Sequence, residues 1–287
     1  MANVNLPPDD KSARSMFERI YGMRLPAEGV TVTRSSIEEV ALNLQFPKWK
    51  FANPDGSRDP SRAVNPLVTR PSSVRLRSLR VWFDDPMSAY KYACRLRANG
   101  VQIPPCKHER GAVRTVASER LRELAMRDAP ELAERYANNP TEFEPWCADL
   151  LKGFGWDAHR TPPSNDGGVD VIARRRGILM IVECKCYGQQ HTVGRPVIQK
   201  LVGANDTWHA DRMLVMTTTQ FTAPAIEYAA RAGVELVDGT RLAELSRRVT
   251  SDTSAIDRSA AADVTLTPAM MRSWMPPDLK ECYPIRG

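Results

Sequence analysis

The chain has 287 residues, 42% hydrophobic and 26% charged, with 40 Lys and Arg against 34 Asp and Glu. That length suits two domains, and that composition excludes wholesale disorder and fibrous folds. No apolar run approaches the ~18–20 residues that span a bilayer and the N-terminus has no secretory pattern, so no membrane partner is expected. Six cysteines without a CxxC pair are too few for a disulfide scaffold and point to a reducing, cytoplasmic setting. The net charge of +6 is unevenly spread: residues 58–127 carry 15 basic and 6 acidic side chains, and residues 128–287 carry 18 and 21. A basic block of that size marks a polyanion partner, nucleic acid first.

Residues 1–72 are rich in Pro, Asn and Ser, and only Met16–Met23 and Ser36–Leu44 have helical periodicity. Five prolines between Gln45 and Pro71 predict extended loop, so this whole segment is expected to be loosely packed. Ser73–Phe83 reads as a half-buried strand, with Val74 and Leu76 inward and Arg75 and Arg77 on a basic outer face shared with Arg80. Asp85-Pro86 starts a helix that Gly100 ends, and it carries Lys91 and Arg95 as i,i+4 neighbours. Val116–Arg127 and a short helix from Pro130 follow. Residues 73–138 are therefore expected to form a small basic α/β or helical module that holds DNA.

From Pro140 the pattern changes. Thr141–Lys152 is an amphipathic helix. Trp156–Thr161, Val169–Arg174 and Ile178–Tyr187 are strands, and Arg174, Arg175 and Arg176 crowd the tip of a hairpin. Helices over Arg195–Trp208, Ala223–Ala232 and Thr240–Arg247 alternate with the buried strands Met213–Thr217 and Val234–Val237. The order predicts an antiparallel meander extended by parallel neighbours, a mixed sheet flanked by helices. Residues 248–287 read as linker and tail.

One strand carries chemistry. In ILMIVECKCY, Glu183 and Lys185 share a face, while Met180, Val182 and Cys184 share the other. A charge inside an apolar strand needs a reason. Asp170 opens the neighbouring strand after Asp166-Gly167-Gly168, within reach of Glu183 across the hairpin. Two adjacent carboxylates repel unless a cation neutralises them, and Mg²⁺ (or Mn²⁺ in its place) suits carboxylate oxygens plus water. A lysine beside them can orient a nucleophilic water and stabilise charge on a phosphodiester.

Together with DGGVDVIA at 166–173, VECKCY at 182–187, VGRPVIQKLVGA at 193–204 and VELVDGTRLAEL at 234–245, these residues resemble a known family. It is the Mrr-like catalytic domain of the PD-(D/E)xK nuclease superfamily, found in type IV restriction endonucleases. The resemblance covers residues 140–247 and implies a restriction-endonuclease-like core. It implies that Asp170 and Glu183 are metal ligands, with the backbone carbonyl of Cys184 as a third, and that Lys185 is the catalytic lysine. Glu144 matches an acidic position on the first helix that completes the site, although Thr141–Glu144 equally fits a capping box. Gln199 matches a polar position on the helix after the catalytic strand.

The function expected is Mg²⁺-dependent cleavage of DNA in restriction or defence, with modified foreign DNA as one substrate. A repair or junction-processing nuclease and a non-cleaving DNA-binding protein are the alternatives. Arg75, Arg77, Arg80, Lys91 and Arg95 are the expected DNA contacts upstream, and Arg174–Arg176 a hand on the backbone beside the cleavage site. Cutting both strands favours a homodimer or transient pairing, although no dimer motif is present.

Overall fold

The computed structural model describes residues 4–137, 140–162, 168–188, 190–280 and 285. The chain divides into two compact units, Met1–Ala112 with Val264–Gly287, and Val113–Asp263.

The first unit begins with α1 (Lys11–Tyr21), capped by the Asp10 side chain, and continues through β1 (Val30–Arg34) and β2 (Ala41–Asn43). A small ribbon of β3 (Lys48–Trp49) and β4 (Leu67–Val68) follows, then the hairpin β5 (Ser72–Leu76) and β6 (Leu79–Phe83). The helix α2 (Pro86–Ala98) leads to α3 (Lys107–Leu124), within which the boundary between the units falls. Strands β1, β6, β5 and β2 form one antiparallel sheet in that order. Its apolar face, with Val32, Leu42, Val74 and Val81, packs against Ala13 and Phe17 of α1 and Ala89, Ala93 and Leu96 of α2.

Three expectations are corrected here. Residues 1–72 are not loose: β1 and β2 complete the sheet, and alternation at Val30 and Val32 buries them despite the prolines that follow. Residues 73–138 are not one module, because residues 73–112 belong to the first unit and 113–138 to the second. Residues 248–287 are not a free tail, since Leu266, Met271 and Met275 enter the first unit's core and Ile256 and Ala260 the second's. Ile256 and Ala260, like Met271 and Met275, stand four apart, a helical interval set in a stretch rich in Ser, Thr, Asp and Ala.

The second unit continues with α4 (Ala129–Tyr136), α5 (Phe143–Gly153), β7 (Asp157–Arg160), β8 (Val171–Arg175) and β9 (Ile178–Lys185). After β10 (Thr192–Val193) come α6 (Arg195–Trp208), β11 (Arg212–Thr217), β12 (Gln220–Phe221), α7 (Ala223–Ala232), β13 (Val234–Val237), α8 (Gly239–Ser251) and α9 (Ser254–Asp263). The five-stranded sheet has the order β13-β11-β9-β8-β7. Its β7-β8-β9 part is antiparallel, and β9-β11-β13 are parallel neighbours, as the alternation of helices and strands requires.

Both faces of β9 are covered. Met180, Val182 and Cys184 join Phe143, Trp146, Cys147 and Leu150 of α5, with Leu242 and Val249 of α8. Ile181 joins Val215, Ile198 and Leu201 of α6, and Ala225 and Ala229 of α7. This is a helix–sheet–helix sandwich, and the start of β8 and the end of β9 lie side by side at one end of its interior strands.

Candidate active site

Register brings the acids together. Val171 pairs with Val182, so Asp170, one residue earlier, stands across from Glu183. The Asp170 amide donates to the Val182 carbonyl at 3.0 Å, and the Cys184 amide donates to Asp170 Oδ2 at 2.7 Å. From the next strand, the Thr161 amide donates to the Asp170 carbonyl at 3.0 Å. Asp166 and Gly167 of the preceding turn lie outside the described residues. Gly168 has φ +81, a left-handed backbone that favours glycine. A Cβ there would stand 3.5 Å from Ala204 and 3.8 Å from the Lys200 side chain, so the loop into Asp170 runs close along α6.

Glu183 is 0% exposed, and Lys185 Nζ holds its Oε1 at 2.7 Å. Burial pulls the Lys185 ammonium down, and the Glu183 hydrogen bond and charge more than reverse it, so its pKa lies above the usual lysine value. The Asp170 carboxyl is also raised on balance. Burial pushes its carboxyl up, the Cys184 amide draws it back, and the charge of Glu183 pushes it up again. Two acids crowded in this way are what a cation relieves.

The loop after β11 backs the lysine. Thr217 pairs with Lys185, and the Thr218 amide donates to the Lys185 carbonyl at 3.3 Å. Thr217, Thr218 and Thr219 are buried, and their hydroxyls bond within the loop or to Tyr187, so they are packing rather than phosphate contacts.

Glu144 does not close a capping box. Among the described residues no side chain caps the start of α5, and Glu144 Oε2 takes Arg160 Nε at 2.8 Å instead. Its charge reaches Asp170 and adds to the upward push there. Gln199 is exposed on α6. The neighbouring Lys200 is the side chain that reaches Glu183, with Nζ 3.1 Å from Oε1. Nothing in the local sequence marks Lys200, because its partner lies 17 residues upstream.

The arginine expectations need correction. Arg174–Arg176 occupy the far end of the β8–β9 hairpin, where Arg175 pairs with Ile178. Four to six residues separate them from Asp170, roughly 13–20 Å of extended strand, so they are not beside Asp170 and Glu183. In the first unit, Arg75 ion-pairs Glu39 at 2.9 Å, and Arg80 bonds Ser73 Oγ at 3.0 Å while stacking 3.7 Å from the Trp82 ring. Those two are tied into the sheet. Arg77, Lys91 and Arg95 are exposed.

A hard divalent ion fits the chemistry of the donor set: two carboxylates from adjacent strands, one recessed and one fixed by a backbone amide. Among the described residues no group of three His, Cys, Asp or Glu side chains gathers to hold a metal ion, so water and backbone oxygens would supply the rest of its shell.

A mixed sheet of this order, with Asp, Glu and Lys at one end of its interior strands, defines a restriction-endonuclease-like fold. Residues 135–246 match the family model described as restriction endonuclease and are a Mrr-like domain. Over 133 residues the chain is 35% identical to the type IV methyl-directed restriction enzyme EcoKMrr of Escherichia coli strain K12, covering 44% of each protein. The chain thus spans less than half the length of that relative. Among solved structures, the DNA modification-dependent restriction endonuclease AspBHI aligns at 15% identity and a TM-score of 0.35, over 82% of this chain and 65% of the other. The MspJI restriction endonuclease in complex with a 27-mer oligonucleotide aligns at 14% identity and a TM-score of 0.35, over 82% and 61%. No helix among the described residues is long and apolar enough to cross a membrane.

Proposed function

We propose that this protein is a metal-dependent DNA endonuclease of the restriction type, acting on methylated DNA. The observation that carries the reading is the Asp170–Glu183–Lys185 arrangement at one end of the interior strands β8 and β9, inside the stretch that matches the restriction-endonuclease family. Methylated DNA as substrate rests on the methyl-directed relative.

Asp170 and Glu183 would hold Mg²⁺ or Mn²⁺, with the Cys184 carbonyl as a backbone ligand. Such an ion supplies Lewis acidity toward the phosphate and an acidified water. The chain's own part is positional. The Cys184 amide fixes Asp170, and burial keeps Glu183 in one place. Lys185, held charged by Glu183, directs its ammonium to the attacking water and to charge growing on the phosphate oxygens. Arg77, Lys91 and Arg95 offer phosphate contacts in the first unit, and a homodimer would place one such site on each strand. The five described cysteines are free thiols, in keeping with a cytoplasmic enzyme.

Plasmid cleavage tests this with wild type beside Asp170→Ala and Lys185→Ala, in Mg²⁺ and in EDTA, on methylated and unmethylated DNA. Products are expected only from wild type, only with metal, and faster on the methylated plasmid. Equal cutting by all three proteins would sink the assignment. Branched DNA cut in preference to plasmid would move the reading to a repair nuclease.

A further inference from the structure

Glu183 carries two ammoniums, and only one of them belongs to the ExK strand. Lys200 Nζ lies 3.1 Å from Oε1 and 3.4 Å from Oε2, while Lys185 Nζ lies 2.7 Å from Oε1. The two lysines differ in setting. Lys185 is 27% exposed and backed by the buried threonine loop, whereas the Lys200 side chain is 52% exposed on the surface of α6. The backbone at Gly168 passes beside the Lys200 stem and has no Cβ to confine it.

The charge balance follows. Asp170 and Glu183 contribute two negative charges when ionised, and Lys185 and Lys200 two positive ones. A fully buried carboxylate is costly unless paired, and Lys185 and Lys200 supply that pairing with no metal present. A divalent cation on the same carboxylates adds two positive charges within a few ångströms of Lys200. Lys185 is recessed and held by its strand. Lys200 is the exposed one, on a flexible four-carbon stem that can swing into solvent.

We propose that Lys200 is an exchangeable counter-ion. It holds the place of the metal on Glu183 in the unloaded protein, is displaced when a divalent cation binds, and then offers its ammonium to a phosphate of the bound DNA. Lys200 is a positioning residue in the first state and a substrate contact in the second. This rests on the nuclease reading of Asp170, Glu183 and Lys185.

The test is Mn²⁺ titration calorimetry on the full chain without DNA, for wild type, Lys200→Met and Lys200→Arg, with melting in EDTA and in Mn²⁺ and DNA cleavage at saturating Mn²⁺. Removing a competing positive charge is expected to tighten Mn²⁺ binding about tenfold in Lys200→Met. The same variant melts lower than wild type in EDTA and gains more from Mn²⁺. Its cleavage slows about tenfold, while Lys200→Arg, which keeps the charge, recovers most of that loss and does not tighten Mn²⁺ binding. A lysine that merely packs would lower melting in both buffers and would not tighten metal binding. Unchanged or weaker Mn²⁺ affinity in folded Lys200→Met overturns the proposal. If Lys200→Met does not fold, Lys200→Gln is judged on the same measurements. Wild type that binds no Mn²⁺ and cuts no DNA overturns the nuclease reading and this proposal together. Wild type that does both, beside a Lys200→Met of equal affinity, overturns this proposal alone.

Discussion

Asp170 Oδ2 accepts the Cys184 amide at 2.7 Å, so the strand carrying the second acid and the lysine also fixes the first acid. The Asp170 carboxyl is pushed up by burial and by Glu183, against the pull of that amide. A carboxyl raised in this way binds its proton more tightly in the folded chain than in the unfolded one. Its contribution to stability is full below the unfolded carboxylate pKa and is lost as pH rises through the folded value. Asp170→Asn cannot ionise and keeps an acceptor for the Cys184 amide. In EDTA the variant should melt above wild type at about pH 8, with the gap closing near pH 3, while cleavage falls by ~10³-fold. Thermal melts at the two pH values check the sign, and a variant that melts lower at the higher pH contradicts a buried, unfavourable charge.

The Arg160–Glu144 pair at 2.8 Å tunes the same acid from a distance. Negative charge on Glu144 pushes the Asp170 carboxyl up, and the Arg160 guanidinium paired with Glu144 carries the opposite charge. Arg160→Met should therefore move the acid limb of the cleavage pH profile upward, and Glu144→Gln should move it down. Because its carboxylate is taken by Arg160, Glu144→Gln should cost about tenfold or less in rate, far below the cost at Asp170. Single-turnover cleavage across the pH range measures both. A loss in Glu144→Gln as large as in Asp170→Asn would make Glu144 a direct ligand.

Much of this site is legible in the sequence, and the reasons are local. Period-two alternation in ILMIVECKCY places Glu183 opposite Cys184, and the structure puts Ile181 and Cys184 in different cores. Helix α7 runs from the Thr222 cap to Gly233 with its left-handed φ of +69, the bounds that those two residues predict. Other features depend on contacts that no window contains. Val30 pairs with Phe83 across more than fifty residues, so the first sheet has no local signature. Lys200 becomes visible only once α6 crosses β9, where Lys200 and Ala204 one turn later run close to the Gly168 loop. The displacement of Arg174–Arg176 from the site was within reach, since the strand lengths alone separate a hairpin's tip from its base.

Two glycines, on helices that cover opposite faces of the sheet, should respond oppositely to alanine. A Cβ at Gly239 would fall on the Thr218 backbone carbonyl, and the Gly239 amide donates to the Thr219 carbonyl at 3.0 Å. Gly239→Ala must push back the loop that bonds the Lys185 carbonyl, at a cost of about 1–3 kcal/mol and with slower cleavage. Gly203 is a helical position on α6 where a Cβ meets nothing within 4 Å. Gly203→Ala should stabilise by about 0.5–1 kcal/mol through helix propensity alone. Urea unfolding of both variants measures the contrast, and a neutral Gly239→Ala would show that the loop yields freely.

In the first unit, Arg97 Nη1 and Nη2 grip Glu109 Oε1 and Oε2 at 2.6 and 3.1 Å, and the Cys106 amide donates to Oε2 at 2.7 Å. Arg97 also donates to the carbonyls of Ile103 and Pro104, so one ion pair holds the segment between α2 and α3. Burial alone would push the Glu109 carboxyl up, but the Arg97 and Cys106 hydrogen bonds and the Arg97 charge outweigh it and hold it below the usual range. A lowered carboxyl contributes stability above its unfolded pKa and loses it as pH falls through the folded value. Glu109→Gln keeps the shape, removes the charge and leaves a half-buried guanidinium with a neutral amide oxygen in place of the carboxylate, beside the Ile103 and Pro104 carbonyls. It should cost roughly 2–3 kcal/mol at neutral pH, where breaking a buried pair from one side is expensive. The difference should shrink steadily as wild-type Glu109 itself becomes protonated, so urea titrations at neutral pH and near pH 3 read it directly. A Glu109→Gln penalty that stays constant into acid would mean that packing, not charge, secures the α2–α3 connection.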